Sequence, residues 1–405
     1  DEIALYDLGE YFQRNFKARI NEFNRAGYWE ALIDLGGRLP LAERARFFAP
    51  LWGRIDAFTG LYVHLVEALE RIGHAPAARA AMKAIEPRLT EDFQPNSIID
   101  VGVLERLRTD TDAGDLIEVV PVSDGTKGAE AQLPRATLTA LVAEIRLTID
   151  AQGADVWPFF EHTDLLDFPG ARSRLKLVAM PEGEPEQSRQ LRELFLRGKI
   201  AYLFQRYTDE LELTSMLLCM PPSVQEEKDL AGMVQSWIHQ THGATPERRR
   251  SVRNALFLVL TKHDMMFQAK KGDTKESRKA VWDSRLWASF EEMYQPSGWP
   301  DDWDGEPFRN AVFLRNPELE QPHLMDYAEP YDPDNPIEIG VSAKAKDLID
   351  EFAEAFMSSA KVGKYFARKE EAWRAALEPR DGGVTFLVGR LDTVLDPDLK
   401  RKQAS

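Results

Sequence analysis

Cysteine, long apolar runs and basic charge are scarce in this sequence, and each shortage excludes a class of protein. The one cysteine, Cys219, excludes an internal disulfide and is typical of a reducing compartment, so a cytoplasmic location is predicted. No run approaches the length of about 18 consecutive apolar residues that a transmembrane helix needs. With 51 basic against 67 acidic side chains, the net charge of −16 disfavours nucleic acid and anionic membranes as partners.

The phosphate-binding motif GxxxxGK[ST] is missing as well. In that motif the backbone N–H groups wrap the phosphates, the lysine neutralises them and the Ser or Thr hydroxyl binds Mg²⁺. Gly198-Lys199 has Glu193 where the first glycine is required, and Gly363-Lys364 fails in the same way. The 405 residues therefore contain no complete phosphate loop.

The composition that is present suits a globular protein of two or three domains, with 43% hydrophobic and 29% charged residues. Residues 1–108 are predicted to form a helical insertion domain, because apolar side chains recur at steps of three and four. The alanine-rich stretch 76–86 is included among these helices. Residues 109–360 are predicted to form an α/β domain, and residues 361–405 a C-terminal helical segment with a charged tail.

Short apolar runs that alternate with helical stretches predict an α/β fold with a mostly parallel sheet. The runs cover residues 163–166, 215–220, 255–260 and 311–314, and residues 116–122 and 137–149 predict a further hairpin or pair of strands. Ligands of such sheets bind at the carboxyl ends of the strands, so the residues that follow each run are the candidates for a site. The basic run 248–253 is predicted to be a solvated helix face.

The residues after the first run suit magnesium and phosphate. In Asp167-Phe168-Pro169-Gly170, a carboxylate at a strand end can bind Mg²⁺, usually through water, and the glycine N–H can approach a γ-phosphate because no Cβ intervenes. Taken alone, so short a pattern is more often a turn that closes a strand. Arg172 follows, where a guanidinium could stabilise charge on a transferred phosphoryl group, although a surface cation is the commoner role.

The residues after the 255–260 run suit guanine. In the loop Thr261-Lys262-His263-Asp264, the aspartate can accept hydrogen bonds from guanine N1–H and from the 2-amino group, while the lysine stem lies along the base. Adenine has an acceptor at N1 and no 2-amino group, so it leaves the carboxylate unpaired at a cost of about 1.5–3 kcal/mol. A polar loop that merely closes a buried strand explains the same residues equally well.

Together the two motifs resemble those of P-loop GTPases of the dynamin-like branch, DxPG and TKxD. A closer resemblance covers nearly the whole chain, which is similar to bacterial virulence factors of the SrfC type in segments 163–172, 197–204 and 258–264. The resemblance implies a GTPase-like domain interrupted by the helical insertion, with GTP or GDP and Mg²⁺ as ligands. It also implies protein partners from the same operon, and it leaves self-association open. Membrane association has no support in the sequence.

By the same analogy, Asn316 in Arg315-Asn316-Pro317 packs beside the base. The segment 342–344, Ser-Ala-Lys, competes for this role, and Asn316 is favoured because it directly follows an apolar run. In the resulting site Asp167 binds Mg²⁺ through water. The catalytic residues are Gly170, which contacts the γ-phosphate, and Arg172, which stabilises its charge, and the remaining residues bind the base. These residues are Thr261, Lys262, Asp264 and Asn316.

Two explanations of the missing phosphate loop stay open. The favoured one is that the chain is a piece of a longer parent protein whose upstream segment carries the loop, so that the parent rather than this chain hydrolyses GTP. The other is a degenerate GTPase fold that acts as a nucleotide-independent scaffold or interaction module.

Overall fold

The computed structural model divides the chain into two compact units, Asp1–Thr148 with Leu175–Lys199, and Ile149–Arg174 with Ile200–Ser405. The division into three parts at residues 108 and 360 stays a prediction. The residues that the structure describes are 2–16, 23–24, 27–86, 97–147, 163–168, 183, 186–222, 228–267, 274–332, 335–394 and 403.

The first unit combines helices with a small antiparallel sheet. Strand β2 (Leu116–Ser123) pairs with β1 (Ala77–Ala80), β3 (Thr126–Lys127) and β4 (Ala131–Pro134). Its helices are Glu2–Asn15, Tyr28–Leu35, Leu41–Phe48, Asp56–Arg71, Asp110–Gly114, Arg135–Leu141 and the first part of Glu186–Asp209, with 3-10 turns at Ala49–Trp52, Met82–Ala84 and Val101–Arg106.

Two predictions in this unit are wrong. The alanine-rich stretch 76–86 is not a helix, because Ala77–Ala80 pairs with β2 and only Met82–Ala84 forms a 3-10 turn. Backbone pairing here overrides the helix propensity of alanine. Residues 137–149 do not begin with a strand, since Arg135–Leu141 is a short helix whose residues Arg135 to Ala140 are all buried. The predicted strand at 116–122 is confirmed as β2.

Lys199 closes the carboxyl end of the helix Arg135–Leu141. Its ammonium donates hydrogen bonds to the carbonyl oxygens of Thr139, Ala140 and Val142, at 3.1, 2.8 and 2.5 Å. Burial lowers the pKa of this lysine to about 8. Gly198-Lys199 therefore belongs to a helix-capping contact rather than to a phosphate loop.

The second unit holds a parallel sheet and most of the helices. Strands β5 (Met216–Met220), β6 (Leu256–Leu260) and β7 (Ala311–Phe313) pair in this order, and β8 (Met325–Tyr327) pairs with β9 (Glu338–Val341) in a separate antiparallel pair. The helices are the last part of Glu186–Asp209, Lys228–Thr241, Pro246–Arg250, Lys275–Lys279, Val281–Leu286, Glu292–Tyr294, Lys346–Ser358, Ala360–Tyr365, Lys369–Leu377 and Val384–Leu391, with a π-helical turn at Trp287–Glu291 and 3-10 turns at His263–Phe267, Gln295–Ser297 and Asp392–Val394.

Strand β6 lies at the centre of the parallel sheet, and all five of its residues are buried. One face packs on an aromatic core that includes Trp237, Trp282 and Phe356, and the other face packs on a smaller cluster with Leu387. A strand covered on both faces has a continuous apolar sequence, which is why β6 and β7 are predicted correctly. The strand β5 is also predicted correctly from its apolar run, although Cys219 within it is exposed.

The predicted strand at 163–166 is wrong, because residues 163–168 form no regular structure. Leu165 is 67% exposed, so the apolar run is not buried in the sheet. This segment is held instead by the Phe168 ring, whose centroid lies 5.5 Å from that of Phe204 and 5.9 Å from that of Tyr207.

His242 joins the end of helix Lys228–Thr241 to the start of β6. Its Nε2 accepts the Ala255 N–H at 3.1 Å, and its Nδ1 is 2.7 Å from the Thr241 hydroxyl. Burial lowers the pKa of this histidine from 6.5 to about 4. The imidazole is therefore neutral in the fold at pH 5, where an unfolded chain would protonate it.

We expect this histidine to weaken the fold in acid. The pKa of His242 is lower in the folded than in the unfolded chain. Between pH 6.5 and 4 the unfolded chain therefore binds a proton that the folded chain does not, and the free energy of unfolding falls as the pH falls through this window. The shift corresponds to about 3 kcal/mol. In urea unfolding at several pH values, His242→Gln should flatten the acid decline. Burial and the charge of Arg249 also lower the pKa of the exposed His239 on the same helix, so His239→Gln should flatten the decline as well, but less than His242→Gln does. Parallel slopes for His242→Gln and wild type would contradict this expectation.

Among the described residues, none of the helices is both long enough and apolar enough to cross a membrane.

Candidate functional site

The carboxyl ends of the three parallel strands are joined by their loops. The Thr261 N–H donates to the Met220 carbonyl at the end of β5, and the His263 N–H donates to the Leu314 carbonyl beyond β7, each at 3.1 Å. The loop after β6 therefore lies between the ends of its two neighbours. This edge of the sheet brings Thr261, Lys262 and Asp264 close to the loop that carries Asn316.

Asp264 is the buried acid at this edge, with 5% of its surface exposed. Burial raises the pKa of its carboxyl above the usual value, while its own backbone N–H and the positive charges of Arg315, His323 and Lys262 act in the opposite direction. Lys262, two residues before it, is exposed and has a left-handed backbone with φ of 54°. A partly desolvated carboxylate beside an exposed lysine stem can accept two N–H donors from a flat ligand.

Asn316 lies on the neighbouring loop and is exposed. Its side-chain oxygen accepts the Glu318 N–H at 3.0 Å, so the side chain closes its own turn. The competing segment 342–344 follows β9, which belongs to the antiparallel pair and not to the parallel sheet. The position of Asn316 beyond β7 therefore agrees better with a role at this edge than that of Ser342.

Asp167 lies beside β5. It is exposed, and its negative charge adds to the effect of burial in raising the pKa of the Cys219 thiol near the end of that strand. The neighbouring Phe168 ring is held by the long helix, as described above. Gly170 and Arg172 lie outside the described residues, so their predicted roles stay predictions.

A protein-family model matches the whole chain. The model of the family described as "Putative bacterial virulence factor" matches residues 1–405. The chain belongs to this family. No curated protein and no solved structure matches it. Membership of the virulence-factor family agrees with the resemblance found in the sequence, and the finer assignment to the SrfC type and to GTPases stays a prediction.

Arg285 is a residue of this edge that the sequence does not reveal. Its guanidinium donates to the carbonyl oxygens of Met220 and Thr261, at 3.2 and 3.0 Å, and so ties the ends of β5 and β6 together. Burial lowers its pKa to about 10. These two carbonyl groups accept hydrogen bonds from the protein itself. A lone arginine in a helix gives no sequence signal for such a role.

His263 anchors the loop between Lys262 and Asp264. It is fully buried and stacks on Phe313, with ring centroids 3.9 Å apart, and on Trp282 at 5.3 Å. Neither ring nitrogen has a hydrogen-bond partner among the described residues. Burial, followed by the charges of Arg285 and Arg315, holds the pKa of this histidine well below its usual value. It is thus a neutral packing residue rather than an acid or base.

The described residues at this edge fit magnesium as part of a nucleotide complex. Within the described ranges, no group of three or more His, Cys, Asp or Glu side chains could hold a metal ion. Mg²⁺ does not need such a group, because it keeps several waters and is commonly bound by one or two carboxylates together with substrate phosphates. An exposed Asp167 beside β5 is compatible with that kind of contact.

Proposed function

We propose that this member of the virulence-factor family is a GTPase-like protein of the SrfC type that binds GTP or GDP with Mg²⁺ at the carboxyl edge of β5, β6 and β7. The observation that carries the proposal is the buried Asp264 carboxylate directly beyond the central strand, with the exposed Lys262 before it and Asn316 on the neighbouring loop. Asp264 would accept from N1–H and the 2-amino group of guanine, Lys262 would lie along the base, and Asn316 would pack beside it.

The phosphate end of the proposed site is less complete. Asp167 would contact Mg²⁺ through water, with Gly170 and Arg172 at the γ-phosphate as the resemblance implies. Hydrolysis needs backbone N–H groups and a lysine around the β- and γ-phosphates, and these 405 residues contain no GxxxxGK[ST] segment. GTP hydrolysis therefore depends, in this proposal, on a phosphate loop encoded outside them.

Calorimetric titration with GDP and ADP in the presence of Mg²⁺ tests the proposal. For the full product of the gene, we expect GDP to bind at least about 100-fold more tightly than ADP. With adenine the charged hydrogen bond to Asp264 is lost and its carboxylate is also left unpaired, and each effect costs about 1.5–3 kcal/mol. Equal affinities would contradict the proposal. For the 405-residue chain alone we expect no tight binding, and a low-micromolar affinity would show that the phosphate loop is not needed.

A nucleotide-independent interaction module is the second candidate, and the missing phosphate loop is the observation that favours it. In that case neither GDP nor ADP would bind the full gene product, and Asp264→Ala would leave its association with protein partners unchanged. Partner binding that changes on addition of GDP and not of ADP would exclude this candidate.

A further inference from the structure

The loop that carries Asn316 is tied to the C-terminal helices by one buried guanidinium. The side chains of Arg315 and Glu338 are both 0% exposed and form a two-pronged ion pair, with one of the N–O distances at 2.9 Å. The same guanidinium donates to the carbonyl oxygens of Ala376 and Glu378, at 3.1 and 3.2 Å. One side chain thus joins the end of β7, strand β9 and the end of helix Lys369–Leu377.

The turn between the last two helices is pressed against the same loop. The Arg315 N–H donates to the Gly382 carbonyl at 2.9 Å, and the Arg380 N–H donates to the Glu338 carboxylate at 3.0 Å. A Cβ on Gly382 would lie 2.6 Å from the Arg315 carbonyl oxygen, and a Cβ on Gly383 equally close to that of Phe313. Contacts this close leave little room for the loop to shift without moving the turn.

Arg315 also acts on the proposed base-reading acid. Its positive charge, together with those of His323 and Lys262, opposes the effect of burial on the pKa of Asp264. The residue therefore influences both the ionised state of Asp264 and the position of the Asn316 loop. Nothing in the sequence marks it, because its partner carboxylate lies 23 residues further along the chain.

We propose that Arg315 is a positioning residue that couples occupation of the guanine site to the docking of the C-terminal segment, residues 369–391. This proposal rests on the guanine site proposed above, and it adds that nucleotide binding there changes how firmly the C-terminal segment docks. A guanine nucleotide holds Asp264 and the Asn316 loop in place. Because Arg315 contacts Glu338 and the turn 378–383, it restricts their movement as well. The C-terminal helices then dock more firmly. By linkage, loosening the helices weakens the nucleotide by the same factor.

Hydrogen exchange of the full gene product, measured with Mg²⁺ and GDP or ADP, tests the coupling. We expect GDP to slow amide exchange in residues 376–391 by about tenfold, and ADP to leave it unchanged. In Arg315→Met/Glu338→Leu, both halves of the pair become apolar, which preserves the buried contact without an unpaired charge. In this variant GDP should no longer slow exchange there, and the GDP affinity should fall by about the same factor.

The matched control is Arg368→Met/Glu371→Leu, which removes an exposed ion pair at the start of helix Lys369–Leu377 and should behave as wild type. The pH dependence of GDP binding distinguishes an effect on Asp264 from a purely structural role of Arg315. Because the charge of Arg315 lowers the pKa of Asp264, its removal should make the loss of GDP binding on acidification begin at a higher pH. If GDP binds wild type but neither exchange nor the double variant's affinity changes, the coupling is wrong while the guanine site stands. If GDP does not bind wild type at all, the proposed function itself fails.

Discussion

Asp264→Asn is expected to change the base preference of the site from guanine to xanthine. The amide oxygen of asparagine still accepts from N1–H, but its NH₂ group now faces the 2-amino group of guanine, so two donors meet without an acceptor. Xanthine carries a carbonyl oxygen at that position and accepts from the NH₂ group. Losing one charge-assisted hydrogen bond and leaving a donor unpaired costs about 3 kcal/mol or more, which corresponds to about 100-fold in affinity.

Competition binding of GDP, xanthosine diphosphate (XDP) and ADP to the full gene product measures this change from guanine to xanthine. Asp326→Asn, which changes an exposed aspartate on β8 in the same way, should retain the wild-type order of affinities. If Asp264→Asn still prefers GDP over XDP, Asp264 does not read the base, and the assignment of the Thr261–Asp264 loop is wrong.

Arg249→Met is expected to destabilise the second unit by about 2–4 kcal/mol. Only 5% of Arg249 is exposed, and its guanidinium donates to the carbonyl oxygens of Gly243, Ala244, Asp302 and Trp303. It therefore holds helix Pro246–Arg250 and the turn before it against a loop more than 50 residues away in sequence. A methionine keeps part of the stem's packing but leaves these carbonyl groups without their charged donor.

The neighbouring Arg248 offers the matched control, because it is exposed and lies in the same basic run. Arg248→Met should change the free energy of unfolding by no more than about 0.5 kcal/mol. Chemical denaturation followed by tryptophan fluorescence compares the two variants directly. Equal stabilities would show that the contacts of Arg249 contribute no net free energy to the fold.

The difference between these two arginines illustrates what the sequence could predict. The run 248–253 predicts a solvated helix face, and this is correct for the exposed Arg248 and wrong for Arg249. The partners of Arg249 are backbone carbonyl groups, which every residue has, so no residue type marks them. Arg315 and Arg285 escape prediction for the same reason, since each bridges carbonyl groups of segments that only the fold brings together.

The parallel strands are predictable because β5, β6 and β7 are continuous apolar runs that end in polar or proline turns. Where local preference and tertiary pairing disagree, the prediction fails, as at Ala77–Ala80 and Arg135–Leu141. Of the candidate site, the order of Thr261, Lys262 and Asp264 directly beyond a buried strand is visible in the sequence. The burial of Asp264 is not visible there. Neither is the packing of His263, because it depends on rings contributed by Trp282 and Phe313.

A structure of the full gene product with GDP and Mg²⁺ bound tests guanine recognition most directly. The account predicts guanine N1 and N2 within hydrogen-bonding distance of the Asp264 carboxylate, the Lys262 stem along the base, and the metal ion on the side of Asp167. A nucleotide bound away from the carboxyl ends of β5, β6 and β7, or a base whose edge does not meet Asp264, would contradict it.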